Sequence, residues 1–223
     1  MFKKILIANR GEIAVRIIRA CKEWGIQTVA VHSNVDKDSM HVRLADESVC
    51  IGSHQPQNSY LNIPAIMSAV DITGAEAIHP GYGFLSENKR FAEIIEEHNI
   101  KFIGPKSNHI GMMSNKIQAR KIMQDSGVPI VPGLNDVDDI VQVNKFIDET
   151  GLPIIIKAAS GGGGKGMRLV ETKEQMEQNF KIAQSEAQIS FDNDDLYLEK
   201  FIDQPRHIEV QILADNHGNI VAL

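Results

Sequence analysis

A lysine at the end of an apolar run and a glycine-rich segment soon after it suggest chemistry with an anion. The segment reads Ser160-Gly-Gly-Gly-Gly-Lys-Gly166. Without Cβ atoms, the backbone N–H groups of such a loop can approach a phosphate closely. The spacing also matches GxGxxG, but Met167–Val170 is typical of a strand, whereas a dinucleotide fingerprint leads into a helix, and the GKS or GKT of a P-loop is absent. We therefore predict a hairpin tip that folds over phosphates, with a plain flexible turn as the alternative.

Lys157 ends the apolar run Ile154–Lys157. An isolated buried charge is costly, so this ammonium group needs a partner, and a nucleotide phosphate is a natural one. A lysine whose stem extends to solvent is the alternative interpretation. His207 is another candidate ligand contact, although a lone histidine more often has a structural role. The other histidines show no metal-ligand spacing, so the sequence predicts no zinc site and no metal ligands.

Composition restricts the class of protein. The 223 residues carry 23 Lys and Arg against 29 Asp and Glu, a net charge of −6, which argues against a nucleic-acid-binding face. Hydrophobic residues make up 43%, as in globular proteins. The apolar runs are far shorter than the roughly 20 residues that span a bilayer. Two cysteines without a CxxC pair exclude a disulfide scaffold and favour a reducing compartment, so we expect a cytoplasmic protein without a membrane segment.

The pattern of elements predicts an α/β fold in two domains, 1–113 and 114–223. Strands and helices alternate through the first hundred residues, which predicts an open, mainly parallel sheet with helices on its faces. Ser86 is the predicted N-cap of a helix that reaches Asn99, which places Glu87 in the first helical turn. Later strands are expected at Pro153–Ala158, Met167–Val170 and Leu196–Phe201, followed by an antiparallel hairpin, Ile208–Ala214 with Asn219–Leu223.

Several motifs carry a family resemblance. Leu152–Gly166 resembles the ATP-grasp signature shared by biotin-dependent carboxylases and carbamoyl-phosphate synthetases. Ile5–Ala20 resembles the opening of biotin carboxylases, and His79–Asn88 resembles a loop of that family almost letter for letter. Glu199–Ile202 and Pro205–Gln211 also match in order and spacing. The resemblance runs along the whole chain and favours biotin carboxylase over the carbamoyl-phosphate type.

The resemblance implies a Rossmann-like pre-ATP-grasp domain followed by an ATP-grasp domain that is incomplete at its C-terminal side. It also implies roles for individual residues. Lysine ammonium groups would contact the ATP phosphates, loop backbone N–H groups would donate to them, a short strand would form the adenine site, and a histidine would lie near the sugar. In that order, the residues are Lys116 and Lys157; Gly163 and Gly164; Glu199, Lys200, Phe201 and Ile202; and His207.

The activity implied by the resemblance is that of a ligase. ATP phosphorylates bicarbonate to carboxyphosphate, whose carboxyl group passes to biotin on a biotin carboxyl carrier protein, and a carboxyltransferase acts next. Magnesium would accompany ATP, the full-length form would be a homodimer, and in acetyl-CoA carboxylase the pathway would be fatty-acid synthesis. Family members continue for about as many residues again, so catalytic residues and magnesium ligands are expected beyond residue 223, and this chain alone is expected to be inactive.

Two other classes of function stay open on the sequence. The chain could be a non-catalytic nucleotide-binding fragment, or an ATP-grasp ligase of the carbamoyl-phosphate type. Two local readings are also open. Asn9–Glu12, at the first strand-to-helix turn, could bind a ligand or serve the structure. Glu87 could favour the helix dipole, or it could lie beside the active site as the family loop implies.

Overall fold

Two units, Met1–Ala119 and Arg120–Leu223, make up the chain in a computed structural model. The structure describes residues 1–114, 116–135, 137, 140–158, 167–191 and 195–223, with the side chains of residues 116, 117, 190 and 191 left aside. Helix α6, Lys116–Asp125, runs across the division between the units. The predicted boundary at residues 113 and 114 stays a prediction.

In the first unit, strands alternate with helices, and every strand pair is parallel, in the order β3-β2-β1-β4-β5. This confirms the predicted open parallel sheet. The strands are β1 Lys4–Ile7, β2 Gln27–Ser33, β3 Glu47–Gly52, β4 Ala77–His79 and β5 Lys101–Phe102, and the helices are α1 Gly11–Glu23, α2 Met40–Leu44, α3 Ile63–Thr73, α4 Lys89–Glu97 and α5 Ser107–Ser114.

Both faces of this sheet are buried, as expected when connecting helices cover a parallel sheet. Leu6 and Ile78 belong to one apolar cluster, which also takes in residues of α3 and α4. Ile5 and Ile7 point the other way and pack with Ile18 of α1. Burying each such aliphatic side chain contributes about 1.5–3 kcal/mol, so the two layers fix the sheet and the positions of its carboxyl ends.

The start of α4 corrects one prediction. The helix begins at Lys89, and Asn88, rather than Ser86, is its N-cap: the Asn88 side chain accepts a hydrogen bond from the Phe91 N–H at 2.9 Å. The Ser86 N–H donates to the Gly83 carbonyl at 2.9 Å, so the preceding residues form turns before the helix begins. Glu87 therefore precedes the helix, and the prediction that it lies in the first helical turn is wrong.

The second unit contains an antiparallel sheet in the order β6-β9-β7-β8. A separate antiparallel hairpin, β10 with β11, confirms the prediction for the end of the chain. The strands are β6 Gly133–Leu134, β7 Ile154–Ala158, β8 Met167–Val170, β9 Leu196–Lys200, β10 Ile212–Ala214 and β11 Ile220–Ala222, and the helices after α6 are α7 Ile140–Thr150 and α8 Met176–Phe191.

Alternation of side chains gives this sheet two different faces. Ile154, Ile156 and Leu198 are fully buried in a cluster with residues of α7 and α8. Because successive strand residues point to opposite faces, the residues between them belong to the other face. Among the described residues, no helix is long and apolar enough to cross a membrane.

Candidate functional site

The strand register places several predicted site residues on the face of the second sheet that α7 and α8 do not cover. Lys157 lies opposite Tyr197 across β7 and β9, and Ile155 lies opposite Glu199. Met167 of β8 lies opposite Lys157. Exposure varies along this face: Met167 is 44% exposed, whereas Tyr197 is only 3% exposed. A partly exposed sheet face with one apolar area and one charged area can accept a ligand that has both characters.

Three charged side chains meet on this face around one carboxylate. Lys157 Nζ lies 2.5 Å from Glu199 Oε2, and Arg120 Nη1 lies 2.7 Å from Glu199 Oε1. The three side chains are 25%, 15% and 13% exposed for Lys157, Glu199 and Arg120. Two cations share one anion, which leaves a formal charge of +1. Because the group is partly buried, water screens this charge less than it screens a surface charge.

Tyr197 lies beside this group. Burial, and then the charge of Glu199, raises the pKa of Tyr197 to about 12. The phenol is therefore neutral at physiological pH and adds no negative charge. Lys157 Nζ lies 5.8 Å from the centroid of the ring, within the range of a cation–π contact.

Arg120 is the residue that sequence reasoning missed. It reaches Glu199 from α6, and its Nη2 donates to the Val131 carbonyl at 2.8 Å. Gly133 lies directly opposite Glu199 across β6 and β9. A Cβ at position 133 would stand 2.5 Å from Arg120 Nη2, so glycine leaves the space that the guanidinium occupies. Arg120 follows Lys116 by four residues, a spacing that favours one side of a helix but does not indicate Glu199 as the partner.

Lys200 and Phe201 hold the end of β9. The Lys200 N–H donates to the Pro132 carbonyl at 2.8 Å, and its Nζ donates to the Leu152 carbonyl at 2.9 Å. The Phe201 N–H donates to the Pro153 carbonyl at 3.1 Å. These donors are therefore used within the protein, while the exposed Ile202 continues the chain past the strand.

The remaining predicted residues are not brought to the charged group by any described contact. His207 is exposed, and its Nε2 lies 3.1 Å from Glu209 Oε1. Lys116 begins α6, but its side chain lies outside the description. Gly163 and Gly164 lie outside the described residues, with the rest of the glycine-rich loop. Their roles stay predictions.

In the first unit, Asn9 and Glu12 hold the loop at residues 79–88. Asn9 is buried, and its Nδ2 donates to the carbonyls of Pro80 and Tyr82, each at 2.7 Å. Glu12 accepts a hydrogen bond from the Tyr82 hydroxyl. Burial lowers the pKa of His79, whose Nδ1 accepts from the Gly81 N–H at 3.1 Å. These contacts favour the structural reading of the Asn9–Glu12 turn.

Magnesium does not fit the charged group as it stands. Within the described ranges, no three His, Cys, Asp or Glu side chains converge as metal ligands. The Glu199 carboxylate is already neutralised by two cations, which would repel a third. We therefore assign no magnesium ligand to these residues.

The two units match two family models. Residues 1–110 match the N-terminal domain of biotin carboxylase, and residues 115–223 match the ATP-binding domain of the carbamoyl-phosphate synthase L chain. The fold and the site thus define a chain that joins a biotin carboxylase N-terminal domain to an ATP-binding domain.

Relatives along the whole chain narrow the assignment. Biotin carboxylase of Haemophilus influenzae is 53% identical over 225 residues, an alignment that covers 100% of this chain and 50% of the relative. The mitochondrial propionyl-CoA carboxylase alpha chain of Rattus norvegicus is 50% identical over 226 residues, covering 100% and 30%. The chain belongs to the biotin carboxylase family. It spans about half the length of the curated biotin carboxylases that it matches.

Solved structures agree with this assignment. A Campylobacter jejuni biotin carboxylase, described as a β-γ-ATP complex, has a TM-score of 0.89 and 48% identity, covering 100% of this chain and 50% of that one. The biotin carboxylase domain dimer of Hydrogenobacter thermophilus 2-oxoglutarate carboxylase, described in complex with MgADP, ADP and bicarbonate, has a TM-score of 0.86 and 46% identity, covering 100% and 49%.

Proposed function

We propose that this chain binds ATP on the face of its second sheet that α7 and α8 do not cover and serves the ATP-dependent carboxylation of biotin by bicarbonate. The observation that carries the proposal is the partly buried group of Lys157, Glu199 and Arg120, whose net positive charge lies on the sheet face that α7 and α8 do not cover. Two of these residues are ones that the family resemblance assigns to the nucleotide. The nucleotides and bicarbonate described for the Campylobacter and Hydrogenobacter relatives support the same ligands here.

The face has two areas that suit the two parts of a nucleotide. Lys157 offers a flexible ammonium group for phosphate oxygens, as lysines in phosphate sites commonly do. Ile155 and Met167 lie on the same face and offer an apolar surface for a flat base. The segment Glu199–Ile202 would meet the edge of adenine, with Lys200 and Phe201 contributing by fixing the end of the strand.

The other nucleotide contacts remain part of the proposal. Lys116 would add a second ammonium group for the phosphates, and His207 would lie near the sugar. Gly163 and Gly164 would donate backbone N–H groups from the loop after β7. Such donors act by placing fixed positive charge where the transferring phosphoryl group develops negative charge.

In the reaction that we propose, a bicarbonate oxygen attacks the γ-phosphorus of ATP, the bond to ADP breaks, and carboxyphosphate forms. Its carboxyl group then passes to a ureido nitrogen of biotin, with release of phosphate. This chain would hold and orient the nucleotide, while catalytic residues and magnesium ligands would lie beyond residue 223.

The wider context is also a proposal. The partners would be a biotin carboxyl carrier protein and a carboxyltransferase, in a cytoplasmic homodimer. Acetyl-CoA carboxylase, and with it fatty-acid synthesis, is the setting that we favour. The propionyl-CoA carboxylase relative shows that the same two domains also occur with another acceptor.

Titration calorimetry tests the binding part of the proposal. We expect the protein to bind MgADP and to bind adenosine more weakly, because adenosine lacks the phosphates that Lys157 would contact. No detectable heat with MgADP would contradict the proposal.

An activity assay tests where the chemistry resides. Bicarbonate-dependent ATP hydrolysis with free biotin is measured for these 223 residues and for a version extended to the length of the relatives. We expect turnover only in the extended version. Equal turnover in both would overturn the assignment of catalytic residues to the region beyond residue 223.

A further inference from the structure

We propose that Arg120 is a positioning residue of the nucleotide site: by holding one oxygen of the Glu199 carboxylate, it leaves Lys157 a net positive charge for the nucleotide phosphates. This inference rests on the proposed nucleotide site and adds to it a residue from a different element, helix α6. Arg120 is not expected to contact the nucleotide itself.

The first step of the argument is a count of charges. Glu199 Oε2 faces Lys157 Nζ at 2.5 Å, and Glu199 Oε1 faces Arg120 Nη1 at 2.7 Å. With Arg120 present, the group carries +1. Without it, Lys157 and Glu199 would form a neutral pair, and an incoming phosphate would meet both an attracting ammonium and a repelling carboxylate. The Arg120 guanidinium thus determines whether an incoming anion meets a net positive charge or a neutral ion pair.

The second step is that the fold fixes Arg120 more firmly than it fixes Lys157. The Arg120 guanidinium is held from two sides, by Glu199 and by the Val131 carbonyl at 2.8 Å. Gly133 provides the space across which it reaches the carboxylate. Lysine has a flexible stem and three equivalent donors, whereas the planar guanidinium is suited to a fixed geometry. Lys157 can therefore move to a phosphate while Arg120 retains Glu199.

The third step is that this placement of Arg120 carries a cost. The side chain is 13% exposed, so most of the hydration of its charge is lost. Among the described residues, its buried Nε has no hydrogen-bond partner. An apolar side chain would avoid both costs, which favours a role in the site over a role in packing alone.

The experiment is a double-mutant cycle read out by calorimetry with MgADP and adenosine. In R120Q, we expect MgADP affinity to fall by roughly tenfold, because Glu199 then pairs with Lys157 alone and competes with the phosphates for it. Adenosine affinity should change less than about twofold, because adenosine carries no phosphate. In the E199Q background, the added R120Q substitution should change MgADP affinity by less than about threefold, because no carboxylate remains to capture Lys157.

Two further variants keep the result interpretable. Lys181→Gln removes a charge from an exposed pair with Glu177 on α8 and controls for net charge, so its MgADP affinity should match that of the wild type. Arg120→Lys keeps the charge but not the planar geometry, so it should lose less MgADP affinity than R120Q and gives a second measurement if R120Q folds poorly.

The outcomes separate the two proposals. A wild-type protein that does not bind MgADP overturns the proposed function. If the wild type binds MgADP but R120Q weakens MgADP and adenosine equally, or weakens MgADP as much in the E199Q background, Arg120 only supports the strand and the inference is wrong.

Discussion

The polar groups of the first sheet are satisfied within the protein, whereas those of the second sheet keep a net charge. In the first unit, the carboxyl ends of β1 and β4 meet where strand order reverses, the usual ligand position in an open α/β sheet. Here the protein's own groups fill that position, since Asn9 donates to two carbonyls of the 79–88 loop. In the second unit, a partly buried group of charged side chains keeps an excess of positive charge.

A second polar group in the first unit, the Asp36 carboxylate, also has its hydrogen bonds satisfied by the protein itself. Asp36 accepts hydrogen bonds from the Tyr60 hydroxyl and the Ser33 hydroxyl, each at 2.7 Å, and pairs with Arg10. Burial alone would raise the pKa of Asp36, but the hydrogen bonds from Tyr60, Ser33 and Arg10 lower it. The comparison shows that position in the fold does not by itself make a binding site.

The largest expected effect tests the hydrogen bonds of Asn9 to the 79–88 loop. Asn9→Ala removes the donor to the buried Pro80 carbonyl and to the part-buried Tyr82 carbonyl, and we expect a loss of about 2–4 kcal/mol in the free energy of unfolding of the first unit. Denaturant unfolding followed by the fluorescence of Trp24, the single tryptophan of the chain, measures it. Asn108→Ala, at an exposed position, is the control and should stay within about 0.5 kcal/mol of the wild type. Equal stability of both variants would mean that water replaces Asn9 without cost.

The second prediction tests Lys157 in the proposed nucleotide site. Lys157→Met keeps the length of the side chain and removes its charge, and we expect MgADP affinity to fall by about 10- to 150-fold, since charge-assisted hydrogen bonds contribute about 1.5–3 kcal/mol. Calorimetry measures the change. Lys181→Met is the matched control on an exposed surface. Unchanged affinity in Lys157→Met would remove Lys157 from the site.

A smaller effect is expected at Tyr60. Its hydroxyl donates to Asp36 and accepts from the Ser33 N–H at 3.0 Å. Burial, and then the hydrogen bond to Asp36, raises the pKa of Tyr60 to about 12, so the hydroxyl keeps its proton in any ordinary buffer. Tyr60→Phe should destabilise the first unit by about 1–2 kcal/mol, measured by the same unfolding experiment. A stabilised variant would show that the buried network costs more than it contributes.

The smallest expected effect is the pH dependence of the first unit. Burial lowers the pKa of His41 and of His79 from the ordinary value of 6.5. The unfolded chain therefore binds protons at a higher pH than the folded chain, and stability falls as the pH drops below 6.5. We expect a loss of about 1 kcal/mol between pH 7 and pH 5.5.

The histidine variants assign this pH dependence. His41→Gln should flatten the slope of unfolding free energy against pH, while His54→Gln, at an exposed position, should leave it unchanged. The same slope in all three proteins would show that other groups cause the effect. Acidification through the ordinary value of 3.8 adds a further loss, because Asp36 and Asp46 have lowered pKa values.

The sequence predicted what local patterns determine. Alternating apolar runs and helical stripes indicated the parallel sheet. The lysine at the end of a buried strand indicated that Lys157 needs an anionic partner, and in the structure that partner is Glu199. The partnership of Arg120 with Glu199 depends on strand register and on a helix 79 residues away along the chain, so no local pattern shows it. The start of α4 was missed because Ser86 and Asn88 are both good N-caps, and only the turn at Gly83 decides between them.

Two different neighbours restrict which residue can occupy position 133. A Cβ there would meet Arg120 Nη2 at 2.5 Å but also the backbone carbonyl oxygen of Leu198 at 2.7 Å. The first neighbour is the end of a long side chain and can be replaced, whereas the second belongs to the strand and cannot. Replacing Arg120 alone would therefore not make room for a side chain at position 133, because the Leu198 carbonyl would still stand 2.7 Å from its Cβ. Glycine at position 133 is thus required by the backbone of β9 as well as by the Arg120 side chain.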